Sequence, residues 1–234
     1  TVKDTLSLHD ALPISFGDGH DNVELRISEF ESFDITATAG NDRIVGGNAG
    51  NRLVGGAGDD ELRGGDGADV LDGGPGDDLF RTVGFGDTVV GGPGSDTVAF
   101  NLTEQTEDLT IDLGTGEAPG ASWTGVEFVR GSLGKGDDSV TAFAQLKNIY
   151  GGEGTDRLTL DYSGTLPDGR SAERIDFYLT GSRIDETVAF GDGYADVELR
   201  INEFESFDIT ATAGNDRIVG GNAGNRLVGG AGDD

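Results

Sequence analysis

The sequence contains no cysteine and no methionine. Without thiols, neither disulfides nor thiolate metal sites are open to it. Imidazole is nearly as scarce: His9 and His20 are the only histidines in 234 residues, which disfavours a zinc centre. Basic residues are few, 16 Lys plus Arg against 44 Asp plus Glu, for a formal net charge of −28. So acidic a chain repels nucleic acid and anionic membranes, and no apolar run approaches the ~20 residues that span a bilayer. The hydrolase signatures H-E-x-x-H and G-x-S-x-G are both missing. A chain with no initiator that stops at Asp234 in mid-repeat is expected to be an internal stretch of a longer protein.

What the sequence has is glycine, 42 residues, far above the usual ~7%, and it is periodic. Gly55 to Ala99 reads in nines: GGAGDDELR, GGDGADVLD, GGPGDDLFR, TVGFGDTVV, GGPGSDTVA. Four of these fit G-G-x-G-x-D-x-U-x, with U a large apolar residue. The fourth unit keeps only Asp87 and Val89. Two earlier units, ATAGNDRIV and GGNAGNRLV, bring the total to seven from Ala37 to Ala99.

Each position has a physical role. Glycines at positions 1, 2 and 4 allow a tight turn with inward carbonyls. Asp at position 6 offers a hard oxygen, and calcium takes six to eight such oxygens from carboxylates and carbonyls. The closing x-U-x is a short strand with one side chain facing the core. Two nonapeptides make an eighteen-residue coil, so alternate units share a side. One column then holds Asp42, Asp60, Asp78 and Asp96, and the other Asn51, Asp69 and Asp87. Stacked strands lie about 4.8 Å apart, where two carboxylates repel by roughly 0.8 kcal/mol even in bulk water. A divalent cation between them turns that repulsion into cohesion. The all-Asp column is expected to hold calcium better than the column that begins at Asn51.

The remaining segments frame these repeats. Residues 1–15 lack the periodicity, and TLSLHDALPI resembles the translation of a sequencing adapter; they are set aside as a non-native or disordered leader. Residues 16–99 comprise lead-in strands, with Val23, Leu25 and Ile27 alternating and Phe30, Phe33 and Ile35 following, and then the seven-unit roll. Residues 100–132 form spacer coils, with Leu109, Ile111 and Leu113 alternating and Trp123 packing against the roll. A short block at 133–162 places Asp138 and Asp156 on one side. Residues 163–210 hold further spacer coils, including a strand through Ile175, Phe177 and Leu179. A truncated block occupies 211–234, with Asp216, Asn225 and Asp234. Phe190–Asp234 repeats Phe16–Asp60 at an offset of 174 residues, and only four of the 45 positions differ. Glu31, Glu127 and Glu205 each lie eleven residues before a block's first Asp. The spacers read as wider coils of the same solenoid.

The nonapeptides resemble those of the hemolysin-type calcium-binding repeat (RTX, repeats-in-toxin) family. The resemblance implies an all-β fold, a right-handed parallel β-roll or β-solenoid with calcium between turns. It also implies a ligand set of carbonyls from positions 1 to 4 with the position-6 Asp. That maps onto Gly55, Gly56, Ala57 and Gly58 with Asp60, and onto Gly64, Gly65, Asp66 and Gly67 with Asp69. It maps likewise onto Gly73, Gly74, Pro75 and Gly76 with Asp78, and onto Gly91, Gly92 and Gly94 with Asp96. In the second block it gives Gly151, Gly152 and Gly154 with Asp156. Asp42, Asp87, Asp138, Asp216 and Asp234 are expected as further metal ligands. Asn51, Asn225, Thr82, Val83 and Phe85 depart from the pattern, so those sites are expected to be weak or empty. The family further implies export by type I secretion machinery from a Gram-negative bacterium and folding in external calcium.

Two functions follow. One is a calcium-binding structural repeat region of a large secreted or surface protein, not itself an enzyme. The alternative is the accessory region of an extracellular metalloprotease, lipase or epimerase whose catalytic domain lies elsewhere. Polysaccharide binding by Trp123, Tyr150, Tyr162 or Tyr178 has no pattern behind it.

Overall fold

The computed structural model describes residues 13–15, 24–26, 32–84, 86–113, 116–118, 120–142, 146–164, 172–178, 184–190, 197–220 and 224–234. His9, His20, Val23, Ile27, Phe30, Glu31, Phe85 and Leu179 lie outside them. The chain forms two units: Thr1–Asn101 with Gly116–Phe128, and Leu102–Thr115 with Val129–Asp234. The stretch read as a single spacer, 100–132, is thus divided between the two.

In the first unit the x-U-x triplets become three-residue strands that stack in two parallel ladders. One ladder runs Pro13–Ser15, Asp34–Thr36, Arg52–Val54, Val70–Asp72, Thr88–Val90 and Ala121–Thr124. The other runs Glu24–Arg26, Arg43–Val45, Glu61–Arg63, Leu79–Val83 and Thr97–Asn101. Inside the repeat the register is eighteen residues, as Ile44 opposite Leu62 and Leu62 opposite Phe80 show. Two nonapeptides therefore make one coil, and position 8 always points inward. Ile35, Leu53, Leu71 and Val89 line one wall, and Ile44, Leu62, Phe80 and Val98 the other, all with no exposed surface. Each such side chain contributes about 1.5–3 kcal/mol by leaving water. Trp123 continues the first wall, paired in register with Val89 and buried. Pro13–Ser15, the end of the segment set aside as a leader, pairs in parallel with Asp34–Thr36.

The second unit repeats the design with longer strands. Thr110–Asp112, Ser139–Ala142, Arg157–Asp161, Ser206–Thr210 and Gly224–Val228 form one parallel ladder. Its inward residues are Ile111, Val140, Leu158 and Phe207, followed one step along by Ala142, Leu160 and Ile209. Phe128–Ser132, which belongs to this unit from Val129 onward, Leu146–Tyr150 and Val197–Asn202 form a second ladder, burying Val129, Ile149 and Ile201.

The expectation of wider solenoid coils fails over Ala172–Asn202. Ala172–Tyr178 pairs antiparallel with Ile184–Phe190, which pairs antiparallel with Val197–Asn202. The reason is connection length: a parallel return needs a dozen or more residues, whereas a few suffice for a hairpin. Only residues 179–183 separate the first two strands. Glu117–Ala118 turns back on Ala121–Thr124 for the same reason.

Candidate metal centre

The two acidic columns expected from the eighteen-residue coil are present. The amide of Asp42 donates to Asp60 Oδ1 at 2.7 Å, that of Asp60 to Asp78 Oδ1 at 2.8 Å, and that of Asp78 to Asp96 Oδ1 at 2.8 Å. On the other side Asn51 donates to Asp69 Oδ1 at 2.8 Å and Asp69 to Asp87 Oδ1 at 2.9 Å. In the second unit Asp138 donates to Asp156 Oδ1 at 2.8 Å, and Asp216 to Asp234 Oδ1 at 3.2 Å. Each carboxylate thus uses one oxygen to clamp the coil before it. From Asp42 to Asp96, and at Asp138 and Asp156, these residues are at most 3% exposed.

The second oxygen decides what the column can do. Oδ2 of Asp60, Asp69, Asp78, Asp96, Asp138 and Asp156 is buried and accepts no hydrogen bond among the described residues. A buried anionic oxygen without a donor is costly unless a cation meets it. Burial accordingly pushes the carboxyls of Asp60, Asp78 and Asp156 up to about 6, and that of Asp96 to about 7. Asp69 and Asp138 are raised by the same cause.

Backbone oxygens surround these atoms. The first glycine of each turn, Gly55, Gly64, Gly73, Gly91 or Gly151, lies so close to Oδ2 of its own Asp that a Cβ there would collide with it. The carbonyl of Gly73 lies beside Gly55, that of Gly125 beside Gly91 and that of Glu203 beside Gly151. Positions 2 and 4 (Gly56, Gly58, Gly65, Gly67, Gly74, Gly76, Gly92, Gly94, Gly152 and Gly154) hold φ between 99° and 155°, outside the reach of other residues. Ala57 and Pro75 sit within the turns and join hydrogen bonds between coils: Ala57 N donates to Thr38 O, and Pro75 O accepts from Gly58 N. Asp66 is exposed. Among the described residues no three His, Cys, Asp or Glu side chains gather at one point. The donor set is therefore one or two carboxylates among carbonyls, all hard oxygen. It fits calcium and does not fit zinc.

Not every column position is alike. Oδ2 of Asp42 accepts from both the amide and the hydroxyl of Thr38 at 3.0 Å. Thr212 does the same for Asp216, at 2.9 and 2.8 Å. Both threonines stand where the other turns have glycine. Asp87 Oδ2 accepts from the Gly84 amide at 2.7 Å, in the unit that lacks the turn glycines, and its carboxyl is raised by burial to about 6. Asp234 is exposed at the column's end.

A second ladder, at position 5, escaped the sequence reading. Asn41 Oδ1 accepts from the Asp59 amide, Asp59 Oδ1 from Asp77, and Asp77 Oδ1 from Ser95, all at 2.9 Å. The pattern recurs from Asp108 to Asp137 to Thr155 and from Asn215 to Asp233. These bonds run opposite in sense to those of position 6, so each turn is clasped from both neighbours. The doublets Asn41-Asp42, Asp59-Asp60, Asp77-Asp78 and Asp137-Asp138 carried that signal.

Comparison with known proteins agrees with this geometry. The family model for the RTX calcium-binding nonapeptide repeat matches four copies, at residues 34–49, 45–80, 83–99 and 208–234. No curated protein matches the chain. These four segments, with their glycine turns and stacked aspartates, are RTX calcium-binding nonapeptide repeats.

Proposed function

We propose that this chain is a calcium-gated structural segment of a large secreted or surface protein, exported unfolded by type I secretion machinery and folding on arrival in external calcium. The observation that carries this reading is the set of six buried, unpartnered Oδ2 atoms stacked along the turns. When bound, calcium supplies the positive charge that lets these carboxylates stay ionised without water. Asp60, Asp69, Asp78, Asp96, Asp138 and Asp156 are the principal side-chain ligands, with carbonyls of the flanking turns completing each set. Asp42, Asp87 and Asp216, whose second oxygens already hold donors, are the weaker positions. The net charge of −28 supports the same direction: without cations it disfavours the compact state, so folding and binding are one event.

Far-UV circular dichroism of the full chain in EDTA and in millimolar calcium tests this. A strand-rich spectrum that collapses on chelation is the expected result. Identical spectra in the two buffers would sink the proposal.

A further inference from the structure

Each acidic column must end somewhere, and its last aspartate would otherwise keep an amide and a carboxylate oxygen with nothing stacked on them. In the first unit's Asp42 column that residue is Asp96. Its amide donates at 2.8 Å to Glu127 Oε2, taking a carboxylate where the preceding coils supply Asp Oδ1. In the second unit the last residue is Asp156, whose amide donates at 2.8 Å to Glu205 Oε2.

The two ends share one construction on unrelated sequence. After Thr124, in register with Val90, the chain crosses Gly125, Val126 and Glu127 before Phe128 donates to Asp96 O. After Asn202, in register with Tyr150, it crosses Glu203, Phe204 and Glu205 before Ser206 pairs with Arg157. Three residues thus do what the six of Gly91–Asp96 and of Gly151–Asp156 do. The first adopts a left-handed conformation, φ 61° at Gly125 and 65° at Glu203, the latter the sole positive-φ residue other than glycine among those described. The second, Val126 or Phe204, is buried. The third is Glu in both, and its extra methylene spans what the shortened turn gives up.

The geometry points to Glu127 and Glu205 as terminal calcium ligands that close the Asp42–Asp96 and Asp138–Asp156 columns, each completing a site with Asp96 or Asp156. The inventory at each end equals that of an internal position. Asp96 and Asp156 are wholly buried, with Oδ2 unpartnered. That oxygen lies against Gly91 or Gly151, beside which sits the carbonyl of the capping turn's first residue, Gly125 or Glu203. The third element is the Glu carboxylate, intermediate in exposure at Glu127 and exposed at Glu205. Neither glutamate falls within the segments matched by the family model. The Glu-Phe-Glu-Ser sequence around Glu205 recurs at Glu29–Ser32, of which Glu29, Phe30 and Glu31 lie outside the described residues.

This inference rests on the calcium reading above, and the test separates the two. Calcium held per chain is counted by equilibrium dialysis on wild type, E127Q, E205Q and the double variant. D78N serves as the internal-site control, and each variant is measured where its circular dichroism matches wild type. Gln keeps an acceptor for the Asp96 or Asp156 amide but removes the anionic charge. One ion fewer in each single variant and two fewer in the double are expected. A wild-type count in E127Q and E205Q, with D78N reduced, overturns the inference alone; a wild type that binds no calcium overturns both. A second readout does not depend on counting. Trp123, the sole tryptophan, lies two residues from Gly125, so it sensitises terbium held at Asp96 and Glu127. That emission is expected to fall at least ten-fold in E127Q and to persist in E205Q; equal emission in the two variants refutes the assignment.

Discussion

The side-chain nitrogen of Asn51 lies 2.9 Å from Asp69 Oδ1, and the same nitrogen donates to the carbonyls of Gly64 at 3.2 Å and Ala49 at 2.5 Å. One neutral amide thus gathers a carboxylate and two backbone oxygens, the donor set that a calcium ion would hold between coils. On the calcium reading proposed above, Asn51 makes through hydrogen bonds the contacts that its counterparts make through the metal, while its own Oδ1 is buried with no donor among the described residues. Replacing the nitrogen with oxygen reverses this. Asn51→Asp is expected to bind one more calcium than wild type by titration calorimetry and to be less ordered in EDTA. An unchanged calcium count would mean that Asn51 does not occupy a metal position.

Asp78 gives the complementary substitution. Its Oδ1 clamps the Asp60 amide, and its Oδ2 is one of the unpartnered buried oxygens. Asp78→Asn retains the clamp and deletes the charge, placing an amide where Asn51 already has one. Loss of one bound calcium is expected, with the calcium midpoint for folding rising about ten-fold, equivalent to about 1.4 kcal/mol. Order in EDTA should increase slightly, since a buried charge has gone. If Asp78→Asn folds at the wild-type calcium concentration, the ladder is not where binding energy enters.

Acid should stand in part for calcium. In the folded, metal-free chain burial pushes the carboxyls of Asp60, Asp78, Asp87 and Asp156 up to about 6 and that of Asp96 to about 7, from the 3.8 of a solvent-exposed carboxyl, because it disfavours the charged form. Between about pH 4 and pH 7 the folded state therefore binds more protons than the unfolded state, and its stability falls as pH rises. In EDTA the chain should show more strand at pH 5 than at pH 8. With calcium the trend reverses, because ligand carboxylates must be ionised and binding releases protons. Circular dichroism across that range in both buffers checks the pair of slopes. A metal-free chain that loses strand on acidification from pH 8 to pH 5 would contradict the burial of these groups.

The roll was legible in the sequence because its period is rigid. Eighteen residues per coil fixes which aspartates stack, and Ile44, Leu62, Phe80 and Val98 follow from the same count. The capping turns were harder to read. The spacing of Glu127 from Asp138 was visible, yet it pointed forward to the next block, whereas the carboxylate reaches back to Asp96. A three-residue turn that replaces a six-residue one leaves no period to detect. The hairpins over Ala172–Asn202 were missed for a related reason: alternation marks a strand but not the direction of its neighbour. Thr38 and Thr212 look like ordinary departures from glycine until their hydroxyls are seen on Asp42 and Asp216.

The turns themselves set the final expectation. Gly74 holds φ 101°, and a Cβ there would run into the carbonyl oxygen of Gly56 in the coil before it. Two costs therefore add in Gly74→Ala. A side chain forced into a glycine-only conformation costs about 1–3 kcal/mol, and the clash pushes apart coils whose strands must stay about 4.8 Å from each other to remain paired. Widening that gap also stretches the 2.8 Å bond from the Asp78 amide to Asp96 Oδ1. Gly74→Ala is thus expected to melt well below wild type in saturating calcium and to need more calcium to fold. Val70→Ala is the control: Val70 is 43% exposed on the outer face of the same roll, and a surface change of this kind stays within about 0.5 kcal/mol. Thermal melts of the two variants side by side decide the matter, since equal melting temperatures would mean that the turns are not closely stacked.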